Sequence, residues 1–124
     1  MKNLLAVLSL CLSFSASAEI SPYAKQEIAY LFTNLKSSGC EFNRNSTWYK
    51  AGEAADHLNQ KYEYLLKKGY ISTTEDFIAR AASESSMSHK AYVVRCGKVE
   101  TKSAAWFKEA LNKYRSEAAA PKTP

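Results

Sequence analysis

The chain has 124 residues, 46% of them hydrophobic, and carries 17 Lys and Arg against 12 Asp and Glu for a net charge of +5. That is one domain's worth of chain with a modest core, and two histidines and three cysteines in no compact ligand spacing argue against a zinc site. The positive balance favours anionic partners, although charges of both signs are scattered and ordinary solubility accounts for most of them.

Residues 1–18 read as a secretory signal peptide. Met1-Lys2 is a short positive start, the run from Leu4 to Phe14 is apolar, and Ala16-Ser17-Ala18 is a small-x-small cleavage site before Glu19. The apolar run is too short to cross a bilayer as a helix. The expectation is cleavage near Ala18, no membrane span, and a periplasmic or secreted protein. A lipoprotein signal at Cys11 is disfavoured, because Leu10 stands where a small residue is needed. What remains is read as a single domain over 19–117 and a flexible tail over 118–124. Export leaves Cys40 and Cys96 as an even pair in an oxidising compartment, which predicts a disulfide. A redox-active pair would sit in C-x-x-C, and these two are far apart in sequence.

Four helical patterns follow in order. Ser21-Pro22 supplies an N-cap and a proline at the first helical position, and Ala24, Ile28, Leu31, Phe32 and Leu35 fall on one face before Gly39. A second helix is predicted over 51–68, with Ala51, Ala55, Leu58, Tyr62, Leu65 and Leu66 as its stripe and Gly69 as its stop. A short third helix opens on a capping box of Ser72 with Glu75 and turns Phe77, Ile78 and Ala81 inward. The fourth begins after Ser103, with Trp106, Phe107, Ala110, Leu111 and Tyr114 as its stripe. Strands are predicted over 40–43 and 47–49, flanking the turn-rich Asn43-Arg44-Asn45-Ser46, and over 91–96. The fold class is therefore α+β: a small antiparallel sheet of about three strands packed by about four helices, in the order α-β-β-α-α-β-α, with one disulfide. No internal repeat or low-complexity block is evident.

Residues left over from this scheme are candidates for function. His57 lies one position off the apolar stripe of its helix, with Glu53 and Lys61 one turn away on either side. A histidine oriented by a carboxylate can act as a general base, but a structural hydrogen bond serves as well. The segment from Ser83 to Lys90 is rich in hydroxyls, yet it has neither G-x-S-x-G nor S-x-x-K, so a polar loop or a binding loop is the better reading. Trp48, Tyr49, Tyr64, Tyr70 and Tyr92 are candidates for an exposed aromatic platform, or for cross-strand pairing. The densest basic stretch is Lys90, Arg95, Lys98 and Lys102.

Several segments taken together are similar to a known family. They are Phe42-Asn43-Arg44-Asn45, then Ala51-x-x-Ala54-Ala55-Asp56-His57-Leu58-x-x-Lys61-Tyr62, then Thr74-Glu75-x-Phe77-Ile78, then Ala82-Ser83-x-Ser85-Ser86-x-Ser88-x-x-x-Tyr92-x-Val94. In this order and spacing they resemble the YfeK-like family, small exported bacterial proteins of unknown function. The resemblance spans roughly Ile20 to Leu111 and implies a periplasmic or secreted single domain. It implies no activity, cofactor or substrate. Where the family pattern has Gly and Pro in the serine loop, this chain has His89 and Ala91.

The candidate binding surface is Arg44, Asn45, His57, Ser85 and Ser86, on the expectation that the hairpin turn, the His57 face and the serine loop converge. No cofactor or metal is expected. The function expected first is a non-catalytic binding or interaction module of the cell envelope, whose partner is an anionic envelope component or an envelope protein. Export makes nucleic acid an improbable partner. A small hydrolase using Ser85 or Ser86 with His57 is the enzymatic alternative and requires a serine–histidine hydrogen bond. An inhibitor of a foreign hydrolase such as lysozyme is a third, weakened because many such enzymes share this domain's positive charge.

Overall fold

A computed structural model describes residues 19–120; the segment read as a signal peptide and the end of the tail lie outside the described residues. Helix α1 spans Pro22–Ser37, capped by Ser21, whose Oγ accepts from the Ala24 amide at 3.1 Å. Strands β1 (Glu41–Arg44) and β2 (Thr47–Lys50) form a hairpin that runs straight into α2 (Ala51–Lys67). The turn residues Asn45 and Ser46 have φ of +50° and +69°, the left-handed pair that a two-residue hairpin turn requires. Helix α3 spans Thr74–Arg80. Its capping box is Thr73 with Asp76, one position after the predicted Ser72 and Glu75. Ser72 is still used, because its hydroxyl donates to Asp76 Oδ2 at 2.9 Å.

The sheet has four strands, not three. Strand β3 (Val93–Cys96) turns at Gly97 into β4 (Val99–Lys102), which leads directly into α4 (Ser103–Ala119). The sequence Val-Glu-Thr-Lys alternates two β-branched residues with two charged ones, a run too short to stand out alone, and pairing with β3 makes it a strand. Helix α4 also extends through Ala119, into the segment expected to be a tail.

The strand order is β2-β1-β3-β4, all pairs antiparallel. Phe42 and Val94 face one another across β1 and β3 and are both buried, so that face carries the helices. Their neighbours Glu41 and Arg95 pair on the opposite face. Helix α2 packs on β1 and β2, α4 packs on β3 and β4, and α1 packs against both helices. The core is Ile28, Leu31, Leu35, Phe77, Ile78, Phe107 and Leu111 between these layers. The Cys40–Cys96 disulfide, closed over a separation of 56 residues, ties the start of β1 to the end of β3.

This arrangement is a structural repeat that was not evident in the sequence. Pro22, Glu41, Thr47 and Ala51 open α1, β1, β2 and α2; Thr74, Val93, Val99 and Ser103 open α3, β3, β4 and α4 at one constant spacing. The β1–β3 register obeys the same relation. The Phe42–Val94 pair joins equivalent positions, so a pseudo-two-fold axis passes between them. Few side chains repeat beyond Lys50 with Lys102, Lys61 with Lys113 and Tyr62 with Tyr114. Burial is kept where identity is lost, as at Ala55 and Phe107 or Ala51 and Ser103. The halves differ most after the opening helix: α1 runs for 16 residues and α3 for 7. Residues 81–89, which match the last turns of α1, form the serine loop instead.

Candidate functional site

A cleft of about 500 Å³ opens where the repeat breaks, walled by the β1–β2 hairpin, α2 and the serine loop. Arg44, Asn45, His57, Ser85 and Ser86 all line it. Three elements bring them together. Strand alternation puts Arg44 on the same face as Phe42, toward the helices. Helical spacing puts Ala54, His57, Leu58 and Lys61 on one side of α2. The serine loop is joined to the hairpin turn by Ser88, whose hydroxyl donates to Asn45 Oδ1 at 2.6 Å.

The loop is held by its own backbone. Glu84 bridges Ala91, the Ser85 amide donates to the Lys90 carbonyl at 3.0 Å, and the His89 amide donates to the Ser85 carbonyl at 2.9 Å. Ser85 is buried, and its Oγ accepts from the amides of Met87 and Ser88 at 3.4 and 3.3 Å. His89 takes a φ of +58°, the left-handed region that favours glycine. A non-glycine residue holds this backbone at some strain.

His57 packs its ring against Tyr49 with centroids 4.8 Å apart. Among the described residues no hydrogen bond joins it to Ser85 or Ser86, so the contact a serine nucleophile needs is not made. Ser86 is exposed at the mouth, as are Arg44 and Asn45.

Lys61 and Tyr92 are the residues that sequence reasoning left out of the site. Lys61 is half-buried; its Nζ donates to the Glu84 carbonyl at 2.6 Å and to the Tyr92 hydroxyl at 3.2 Å, and lies 5.0 Å from the centre of that ring. Burial lowers the Lys61 pKa from its ordinary value, the Arg44 charge lowers it further, and Glu84 opposes both. Burial raises the Tyr92 pKa, with Arg44 pulling the other way. Two signals were available: Lys61 lies one turn beyond His57, and Tyr92 is in phase with Val94 on the core face of its strand. The equivalent lysine in the second half, Lys113, is exposed.

The aromatic side chains do not gather into one exposed platform. Tyr49, Tyr64 and Tyr92 line the cleft. Trp48 is on the other face of the sheet with Arg95 3.8 Å above its ring, and Tyr70 lies beside Arg80. Arg95, from the basic stretch, is drawn toward Glu41 and Glu100 at 3.4 and 3.8 Å. Among the described residues no group of three or more His, Cys, Asp or Glu is placed to hold a metal ion, and no helix is long and apolar enough to cross a membrane.

Fold and cleft together define a small disulfide-bridged α+β domain with an amphiphilic cleft at one side of a four-stranded sheet. The chain belongs to a family of unknown function (DUF5329), which it matches over residues 22–115. None of the curated proteins and none of the solved structures compared with it matches.

Proposed function

We propose that this protein is an exported, non-catalytic binding module of the bacterial cell envelope and that the cleft is its binding surface. The observation that carries the reading is the convergence of three separate chain segments on one concavity, with core side chains as its floor and Arg44, Lys61 and Ser86 at its polar side. Concave sites with an apolar lining and a few converging polar groups are the usual form of a ligand site. Engagement of Ser85 Oγ by two backbone amides supports the non-catalytic reading. Export rests on the pattern of residues 1–18 and on the resemblance to the YfeK-like proteins.

The test is site-specific photocrosslinking in a bacterial host, with the full chain expressed from its own start. A photoreactive phenylalanine analogue replaces Ser86 at the cleft, or Asn112 on the exposed side of α4 as a control. The expected result is processed protein released by osmotic shock and a discrete adduct from position 86 alone. Retention of unprocessed protein in the cytoplasm refutes export. The same adducts from both positions refute the cleft as the binding surface.

A further inference from the structure

Among the described residues, the charged side chains lining the cleft are Arg44 and Lys61, and no Asp or Glu lines it. The two cations are close enough for Arg44 to act on Lys61 through its charge. The Glu84 carboxylate also acts on Lys61 through its charge, but from outside the cleft lining, where its oxygen lies 3.5 Å from His89 Nδ1 and its side chain is 53% exposed to screening water. The cleft is therefore a positive pocket without an internal counterion.

The donors are arranged for an incoming acceptor. An ammonium has three N–H groups. Two of those on Lys61 are engaged by the Glu84 carbonyl and the Tyr92 hydroxyl, which hold the side chain in place and leave one free. Arg44 adds a planar guanidinium, the group best matched to a carboxylate or phosphate. Because Lys61 is already held, little rotamer freedom is lost when a ligand arrives. Behind this polar end the floor is apolar: the accessible surface comes from Tyr49, Ala54, Leu58, Tyr64 and Met87, laid over the buried core side chains Phe42 and Phe107. The volume of about 500 Å³ lies within the range of roughly 300–1,000 Å³ usual for small-ligand sites.

From this geometry we infer that the cleft binds a small amphiphilic organic anion: a carboxylate or phosphate head group at Lys61 and Arg44, carried by an unbranched apolar chain laid along the floor. The inference rests on the cleft being the binding surface and names what it takes. A neutral sugar would leave the two cations unpaired, and a simple inorganic anion would leave the apolar floor unused.

The test uses the oxidised mature protein, labelled with ¹⁵N and titrated with decanoate, decyl phosphate or decanol below micelle-forming concentrations. Saturable amide shifts at Lys61, Ser86 and Tyr92 are expected with an anionic probe, at an affinity at least tenfold above that of decanol, or about 1.4 kcal/mol. Preference for decanoate points to a free fatty acid, and preference for decyl phosphate to a phosphate-headed lipid; either supports the inference. Lys61→Met and Arg44→Gln should each reduce the anion-over-alcohol ratio by about tenfold. Arg44 is exposed at a strand end, so its variant keeps the test informative even if Lys61→Met loosens the serine loop. Equal affinity for anion and alcohol, shifts on another face, or an unchanged ratio in both variants overturns the inference. Absence of any binding also overturns it. A discrete adduct from position 86 in the crosslinking experiment would then show that the cleft reading survives without this ligand class.

Discussion

Arg115 joins three helices and provides the sharpest test of how this domain is held together. Its Nε and one terminal nitrogen donate to the two Glu27 carboxylate oxygens at 2.7 and 3.0 Å, joining α4 to α1. Its other terminal nitrogen lies 2.6 Å from Glu75 on α3. Glu27 is only 14% exposed and also accepts from the buried Thr74 hydroxyl at 2.7 Å. Replacing Arg115 with Met keeps the aliphatic stem and removes the charge. An exposed ion pair contributes about 0–1 kcal/mol, and breaking a fully buried one costs about 3–5 kcal/mol. Glu27 lies between these limits and retains Thr74, so the expected loss is about 2 kcal/mol, in line with hydrogen bonds to charged groups. The Arg115 guanidinium holds the Glu27 and Glu75 carboxyls below their ordinary value of 4.5. That contribution is full above about pH 4.5 and is lost as the pH falls toward the depressed folded-state values. Arg115→Met should therefore lose most at pH 7 and less at about pH 3, since protonation of the two carboxyls weakens the same interactions in the native protein. Asp76 is held low by Ser72 and Thr73 instead, so a residual acid dependence should survive in the variant. Urea unfolding at both pH values decides the matter. A loss below about 0.5 kcal/mol at pH 7, with an unchanged acid limb, would show the network to be no stronger than ordinary surface pairs.

Three further outcomes are expected. Replacing Cys40 and Cys96 together with Ala frees a loop of 56 residues, and chain entropy sets the loss at about 4 kcal/mol, read as a shift in the urea midpoint; a change under about 1 kcal/mol would contradict that account. Ser46→Gly should stabilise by about 0.5–1 kcal/mol, because relief of the left-handed penalty at φ +69° exceeds the added chain entropy of glycine; a lower melting temperature would refute it. Ser85→Ala removes the acceptor for the Met87 and Ser88 amides, so about 1 kcal/mol should be lost and hydrogen exchange at those two amides should quicken; unchanged exchange would mean that the hydroxyl does not hold the loop.

Much of the framework was legible along the chain. Ser21-Pro22, the stripe of Ala24, Ile28, Leu31 and Leu35, and the turn residues Asn45 and Ser46 act through neighbours a few positions away. Short-range patterns of this kind also placed α2, α3 and α4 to within a residue or two. The disulfide was legible for a different reason: once residues 1–18 are read as a signal peptide, Cys40 and Cys96 are the one pair of cysteines left. Strand β4 escaped because Val-Glu-Thr-Lys becomes a strand only through its partner β3. The repeat escaped because its halves share burial pattern and backbone spacing but few residues, with Ala55 matched to Phe107 and Phe42 to Val94.

The candidate site divides along the same line. Arg44, Asn45, His57, Ser85 and Ser86 stood out in the sequence because core periodicity did not explain them, and all five line one cleft. The role open to each was decided by distance. Ser85 is turned to backbone amides, and His57 is packed against Tyr49. Lys61, ordinary in sequence, becomes a half-buried cation because the loop after the shortened α3 brings the Glu84 carbonyl and Tyr92 against it. Local sequence determines helices, caps and turns, since those depend on residues within a few positions of one another. The environment of a charged group depends on segments brought together from across the chain, so tertiary structure alone decided which lysine of the repeated pair, Lys61 or Lys113, faces a cleft and which faces water.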